Sequence, residues 1–185
     1  MLLAIDIGNT RIKAAVFEEN TLLEVVVFSK EALQEKVQNI LNAHPTITDL
    51  MVASVGEIGT KDFLAWDKTL KIHFVSHTTP FPFQNHYATP QTLGIDRMVL
   101  AAGAVLQFPK QNRLVIDAGT CITYDFVDAN NVYHGGAIAP GIRLRYESLH
   151  NYTANLPLLT LESLTFDENN LAKVNLIGSS TQESI

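Results

Sequence analysis

The chain has 185 residues, a length that permits one compact domain or two small lobes. Apolar residues make up 46% and charged residues 17%, which is enough for a proper core and excludes wholesale disorder. The net charge is -6, with 19 acidic against 13 basic residues and no run of Lys and Arg longer than two, so neither a nucleic-acid surface nor binding to an anionic membrane is expected. A single cysteine rules out an intrachain disulfide and a cysteine-based zinc cluster. No apolar run approaches the roughly 18 residues a membrane span needs. Asp6 interrupts the first apolar stretch at once, and no basic segment precedes it, so the N-terminus does not read as a signal peptide. A soluble cytoplasmic protein is the expectation.

Residues 2–5 form a short apolar run, consistent with a buried strand. Asp6-Ile7-Gly8-Asn9-Thr10 is a turn cluster, after which Ile12, Ala14 and Val16 recur at period two. Glu18-Glu19-Asn20 punctuates, and residues 22–28 read as a third strand. Leu33, Val37, Ile40 and Leu41 then share one helical face, with Ser29 placed to cap it and Pro45 beyond the end. Residues 50–55 are a strand broken by Gly56 and Gly59, residues 60–70 a helix, and residues 72–75 a strand. Thr79-Pro80-Phe81-Pro82-Phe83 cannot be regular structure and reads as a connector between halves.

The second half begins with a helix over residues 94–107, rich in small residues and ended by Pro109. Residues 113–127 repeat the opening theme: an apolar strand, a turn at Asp117-Ala118-Gly119-Thr120, and a strand in which Ile122, Tyr124 and Phe126 alternate. Another turn at residues 128–131 precedes a third strand over residues 132–138, interrupted by Gly135-Gly136. A helix follows Ala139-Pro140-Gly141, residues 153–175 are weakly patterned, and Gly178-Ser179-Ser180-Thr181 opens a last helix.

Ile5-Asp6-Ile7-Gly8-Asn9-Thr10 and Ile116-Asp117-Ala118-Gly119-Thr120-Cys121 are therefore copies of one design, too far apart for a solenoid and suited to two lobes. Glycine at such a tip lets the backbone approach a polyanion, and backbone N–H groups and Thr hydroxyls can then reach phosphate oxygens. The carboxylate repels phosphate, so its natural partner is a cation, met directly or through water. An ordinary tight turn also uses Asp-x-Gly. Two copies in one strand context, the first with Lys13 close behind, favour a clamp on a nucleotide triphosphate and its metal. The pair resembles the phosphate motifs of the actin-like ATPase superfamily, which implies two ribonuclease-H-like lobes.

Between the copies stands Gly94-Ile95-Asp96-Arg97, with Tyr87 just before it. Gly94 opens a helix N-terminus, a natural anion site. Arg97 does not serve the helix macrodipole, which prefers cations at the other end, and so becomes a candidate ligand for an anionic substrate. Asp96 can be a plain first-turn acid or a functional group.

Taken together, the residue 6–13 segment, Gly94-Ile95-Asp96-Arg97, Asp117-Ala118-Gly119-Thr120-Cys121-Ile122-Thr123 and Gly135-Gly136-Ala137-Ile138-Ala139-Pro140-Gly141 resemble the type III pantothenate kinases, in the family's order. Leu156-Pro157 and Gly178-x-x-Thr181 continue the likeness. The resemblance implies an α/β protein of two ribonuclease-H-like lobes, with mixed sheets flanked by helices. The lobes are expected over residues 1–80 and 81–185, the second incomplete at its C-terminus because family members continue further. It implies transfer of the ATP γ-phosphoryl group to the primary hydroxyl of pantothenate, the first step of coenzyme A synthesis. Asp6, Ile7, Gly8, Asn9, Thr10, Arg11, Ile12, Lys13 and Thr120 would bind ATP. Asp96 would be the general base, and Tyr87, Gly94, Ile95, Asp96, Arg97 and Thr181 would meet pantothenate. Asp117 would hold a monovalent cation, potassium or ammonium, and Asp6 would anchor Mg²⁺. The family works as a homodimer.

Two other readings stand beside this one: a catalytically inactive homologue retained as a regulator or accessory binding protein, and another small-molecule kinase of the superfamily. Retention of Asp96, Asp117 and Lys13 speaks against the first, and residues 94–97 against the second. Cys121 reads as a small buried residue. Phe81, Phe83 and Tyr87 read as a pocket wall or interface rather than a base-stacking platform, and Trp66 as packing on a helix.

Overall fold

The computed structural model describes residues 1–55, 58–63, 66, 68–160 and 177–185. Gly56, residues 64, 65 and 67 of the expected 60–70 helix, and residues 161–176 of the weakly patterned stretch lie outside the described residues.

The opening meander forms as its period-two pattern requires. Strands β1 (Leu2–Ile7), β2 (Ile12–Glu18) and β3 (Thr21–Phe28) pair antiparallel in sequence. Helix α1 (Leu33–Ala43), entered through a 3-10 turn at Lys30–Ala32, returns the chain to β4 (Asp49–Ser54), which lies parallel to β1. β5 (Lys71–Phe74) adds in parallel outside β4, giving the order β3-β2-β1-β4-β5. This is a mixed sheet of the kind expected of the α/β fold. Leu33, Val37 and Ile40 bury the α1 stripe against Leu3, Ile5, Ile7, Leu50 and Val52 of the sheet. Full burial of each such side chain is worth about 1.5–3 kcal/mol.

The stretch expected as a helix over 60–70 is different. Its described residues form a 3-10 turn at Thr60–Phe63 followed by turns at residues 66, 68 and 69. Phe63 and Trp66 both enter the core, and the Trp66 N–H bonds the Phe63 carbonyl at 3.0 Å. Trp66 packs on Phe63 at 5.8 Å and donates its indole N–H to Gln38 of α1, so it does sit on a helix.

The second sheet has the order β6-β9-β8-β7, built from β6 (Gln84–Asn85), β7 (Arg113–Ala118), β8 (Cys121–Val127) and β9 (Val132–Pro140). Helices α2 (Ile95–Gln107), α3 (Ile142–Asn151) and α4 (Thr181–Ser184) complete the described elements. β9 runs unbroken through Gly135-Gly136, against the interruption expected there. In β8 the buried face is Thr123, Asp125 and Val127, whereas the apolar alternation Ile122, Tyr124, Phe126 lies on the other face.

The chain divides into two compact units: Met1–Val115 with Asp125–Gly136, and Ile116–Tyr124 with Ala137–Ile185. Among its described residues the first unit holds two apolar clusters. The first is the α1 cluster; the second gathers Ala53, Leu93, Ile95, Met98, Ala101, Val105, Val127 and Tyr133. Because strand side chains alternate, Val52 of β4 belongs to one and Ala53 to the other.

Candidate active site

The β1–β2 hairpin turns over residues 8–11. Ile7 and Ile12 face each other across it, both fully buried, and Gly8 closes it by donating its N–H to the Arg11 carbonyl at 3.1 Å. Two of the residues expected to bind ATP, Ile7 and Ile12, thus serve as core anchors whose side chains fix the loop. Asn9, Thr10, Arg11 and Lys13 are exposed. Asp6 stands opposite Lys13 in the register and opposite Ala53 on the parallel side. Opposed residues on neighbouring strands point to the same face, so the acid and the base share the face turned away from the α1 cluster. β1 and β4 end side by side, and the Val55 N–H continues their ladder to the Ile7 carbonyl. Ligands of open α/β sheets gather at this carboxyl end of parallel strands.

The first turn of α2 belongs to the same unit. Gly94 is its N-cap, as expected. A Cβ there would come within 2.3 Å of Asp96 Oδ1, so glycine is what lets the Asp96 carboxylate fold back over the helix start. Asp96 Oδ1 accepts the Arg97 backbone N–H at 2.9 Å, in the position where the macrodipole stabilises a negative charge. Ile95 and Met98 on either side drop into the second cluster with Ala53, the strand neighbour of Asp6. The hairpin and the α2 start are therefore tied through one residue of β4.

Arg97 is the surprise. Its side chain is 5% exposed and paired with Asp125 of β8, itself 1% exposed. Nε lies 3.0 and 3.1 Å from the two carboxylate oxygens, and Nη2 is 2.5 Å from Oδ1. The Tyr133 hydroxyl of β9 donates to the same Oδ1 at 2.5 Å. Hydrogen bonding to Asp125 pushes the Arg97 guanidinium further up from its already high value, and burial pushes the Tyr133 phenol well up, with its bond to Asp125 adding to the shift. The Arg97 guanidinium also lies 5.7 Å from the centre of the Tyr87 ring. Tyr87 in turn rests on Gly135, where φ is 96° and a Cβ would stand 3.0 Å from the ring. Both demands select glycine at this point of β9. Phe81 stacks on Phe83 at 5.4 Å, and Phe83 lies 5.6 Å from Tyr133. Asp125 and Tyr133 escaped the sequence reading. The available signal was a carboxylate in phase with Thr123 and Val127 on the buried side of a strand, which demands a buried cation.

The remaining expected residues lie in the other unit. Asp117 is half-buried near the end of β7, and Gly119 and Thr120 are exposed. The Gly119 N–H bonds the Cys121 carbonyl, and the Gly141 N–H at the start of α3 bonds the Thr120 carbonyl at 3.0 Å. Cys121 is half-buried and unpaired with any disulfide partner. Thr181 opens the short α4, where Ser180 Oγ accepts the Glu183 N–H, and it lines a shallow depression with Leu149 and Leu156.

The sequence model of one family, type III pantothenate kinase, matches residues 2–185. The chain belongs to the type III pantothenate kinase family. A type III pantothenate kinase of Flavobacterium johnsoniae is 59% identical over the whole chain, which spans 72% of that relative. One from Christiangramia forsetii is 44% identical over the whole chain, again across 72% of the relative. Among solved structures, a conserved Baf family protein from Campylobacter jejuni aligns with a TM-score of 0.54 at 22% identity, covering 98% of this chain and 70% of that one, a likeness of fold.

A kinase of this family uses ATP with a divalent metal. Among the described residues no group of three or more His, Cys, Asp or Glu is gathered for a metal ion. Mg²⁺ arriving with ATP takes most of its ligands from phosphates and waters, so a site offering one carboxylate, such as Asp6, fits it. No described helix is long and apolar enough to cross a membrane.

Proposed function

We propose that the site in the first unit carries out ATP-dependent phosphorylation of the primary hydroxyl of pantothenate, giving 4'-phosphopantothenate in the first step of coenzyme A biosynthesis. Family membership supports the reaction. One observation supports its location: Ala53 is at once the strand neighbour of Asp6 and part of the cluster that seats Ile95 and Met98 around Asp96.

Phosphoryl transfer through a loose transition state asks mainly for positioning and charge neutralisation. In this reading Gly8, Asn9, Thr10 and Arg11 offer donors to the ATP phosphates, and Lys13 supplies the positive charge. Asp6 anchors Mg²⁺, which neutralises phosphate charge when bound. Asp96 accepts the proton of the attacking hydroxyl, with Gly94 and Ile95 shaping its turn. Tyr87 forms the wall for pantothenate, and Arg97 offers the N–H groups that Asp125 does not take. By the same family likeness Thr120 contributes to ATP, Thr181 to substrate and Asp117 to a monovalent cation, potassium or ammonium. The division into lobes at residues 1–80 and 81–185, a cytoplasmic location and a homodimer belong to this reading too. The exposed Val99, Leu100 and Leu106 on α2 support a second copy as partner.

ADP release is the test. Pantothenate-dependent, potassium-stimulated turnover is expected, and Asp96→Asn should lower kcat by about 10²–10⁴-fold, the usual worth of general acid–base catalysis. Turnover indifferent to pantothenate, or to Asp96→Asn, would remove the proposal.

A further inference from the structure

We propose that Asp125 and Tyr133 are positioning residues for this reaction. Through Arg97 they hold the first turn of α2, and with it the Asp96 carboxylate, and they fix the Tyr87 wall against that turn. The inference rests on the reading of Asp96 as the base.

Four separate pieces of chain meet here: the α2 start, β8, β9 and the connector that bears Phe83 and Tyr87. Packing alone does not account for the residues chosen. A cation is disfavoured at a helix N-terminus, and a buried ion pair contributes little to stability compared with apolar residues of similar size. What such a pair supplies is direction. Nε and Nη2 both point at one carboxylate, which sets the rotation of the guanidinium plane. The Tyr133 hydroxyl donates to the Oδ1 of that carboxylate, the oxygen that Arg97 also reaches, and fixes it from a second strand.

The geometry then reaches the reacting centre by the shortest route. Arg97 holds Asp125 with its side chain and Asp96 Oδ1 with its backbone N–H. Rotating the α2 turn carries the Asp96 carboxylate and its Arg97 N–H donor together, so the contact that resists the rotation is the pair Arg97 makes with Asp125 of β8. Tyr133 and Gly135 stand two apart on β9 and so share a face: one holds Asp125, the other seats the Tyr87 ring. The base and the substrate wall are thereby referred to a common strand.

The test uses the 185-residue chain with Tyr133→Phe, Asp125→Asn and Asp125→Glu, read by steady-state kinetics and by hydrogen exchange of the segment around residues 94–98. Tyr133→Phe keeps the buried ring and removes one O–H, so it stays folded if Asp125→Asn does not. Expected are a kcat loss of about three- to tenfold for Tyr133→Phe and about 10–100-fold for Asp125→Asn, with KM for ATP unchanged, as small displacements of a reacting group produce. Asp125→Glu should recover part of the loss. Exchange should quicken at 94–98 while β1 and β2 keep their protection. Unchanged kcat and unchanged exchange at 94–98 in Tyr133→Phe would overturn the proposal. So would a loss spread evenly over kcat, KM for ATP and exchange throughout the unit, which marks a plain core contact. If the unmodified chain shows no pantothenate-dependent turnover, the functional reading fails instead, and exchange at 94–98 alone decides whether these residues hold the turn.

Discussion

In the first glycine turn, residues 8–11 are carried between Ile7 and Ile12, both sunk in a core, and Lys13 follows. In the second, Gly119 and Thr120 alone join β7 to β8, their neighbours Ala118 and Cys121 are exposed or half-buried, and Tyr124 stands where the first copy has Lys13. The units around them differ in the same sense. Among the described residues of the second unit only Thr123, Gly141 and Tyr146 are buried, while Ile116, Ile138, Ile142 and Leu158 are exposed. One signature can therefore be held in two ways: the first turn by burial of its flanks, the second by backbone contact with the start of α3. It also assigns the charge to the first turn alone.

The largest break in that comparison should come from Lys13→Ala. If the first turn alone brings the positive charge, kcat/KM for ATP falls by about 10²–10³-fold, the cost of removing one transition-state donor. Steady-state kinetics with varied ATP reads it, and a loss below tenfold would spread the charge elsewhere. Next is Gly141→Ala. A Cβ there would lie 2.3 Å from the Gly119 carbonyl oxygen and 2.6 Å from that of Thr120, and backbone cannot step aside as a side chain can. Destabilisation by about 1–3 kcal/mol is expected, seen in denaturant unfolding.

Alkali should then single out the first unit. Burial raises the Tyr133 phenol, so the folded state keeps a proton that the unfolded chain releases near its ordinary value of about 10. The stabilisation is complete below that value and is lost as pH rises above it toward the folded value. Tyr133→Phe should flatten the fall in unfolding free energy over that range. Smallest is Gly119→Ala. The nearest atom to an added Cβ is 3.8 Å away, so stability should hold within about 0.5 kcal/mol. A rise in KM for ATP in that stable variant would show that the glycine serves ligand approach rather than the turn.

The strands and α1 were legible because one-sided burial writes a period into sequence: Ile12, Ala14 and Val16 at two, Leu33, Val37 and Ile40 along a helical face. The phosphate-type turns and the Gly94 cap were legible because few residues serve there. What escaped was tertiary. Ile122, Tyr124 and Phe126 offered the more apolar alternation in β8, yet the buried side is the one carrying Asp125. Only the arrival of Arg97 from a distant helix makes that tolerable, and local pattern does not contain it. Gly135 looked like a break in β9 because the ring that requires it, Tyr87, lies far off in sequence. The stretch from residue 60 read as one helix, but its described backbone bonds run from Trp66 to Phe63 and from Thr69 to Trp66, and a spacing of three in sequence fits both that winding and an α-helix.

β4 has a thermal consequence. Val52 and Ala53 make this strand a partition with an apolar nucleus on either side, so neither nucleus has a boundary of its own. Heat that frees one must carry away the wall of the other, and the first unit should melt in a single step.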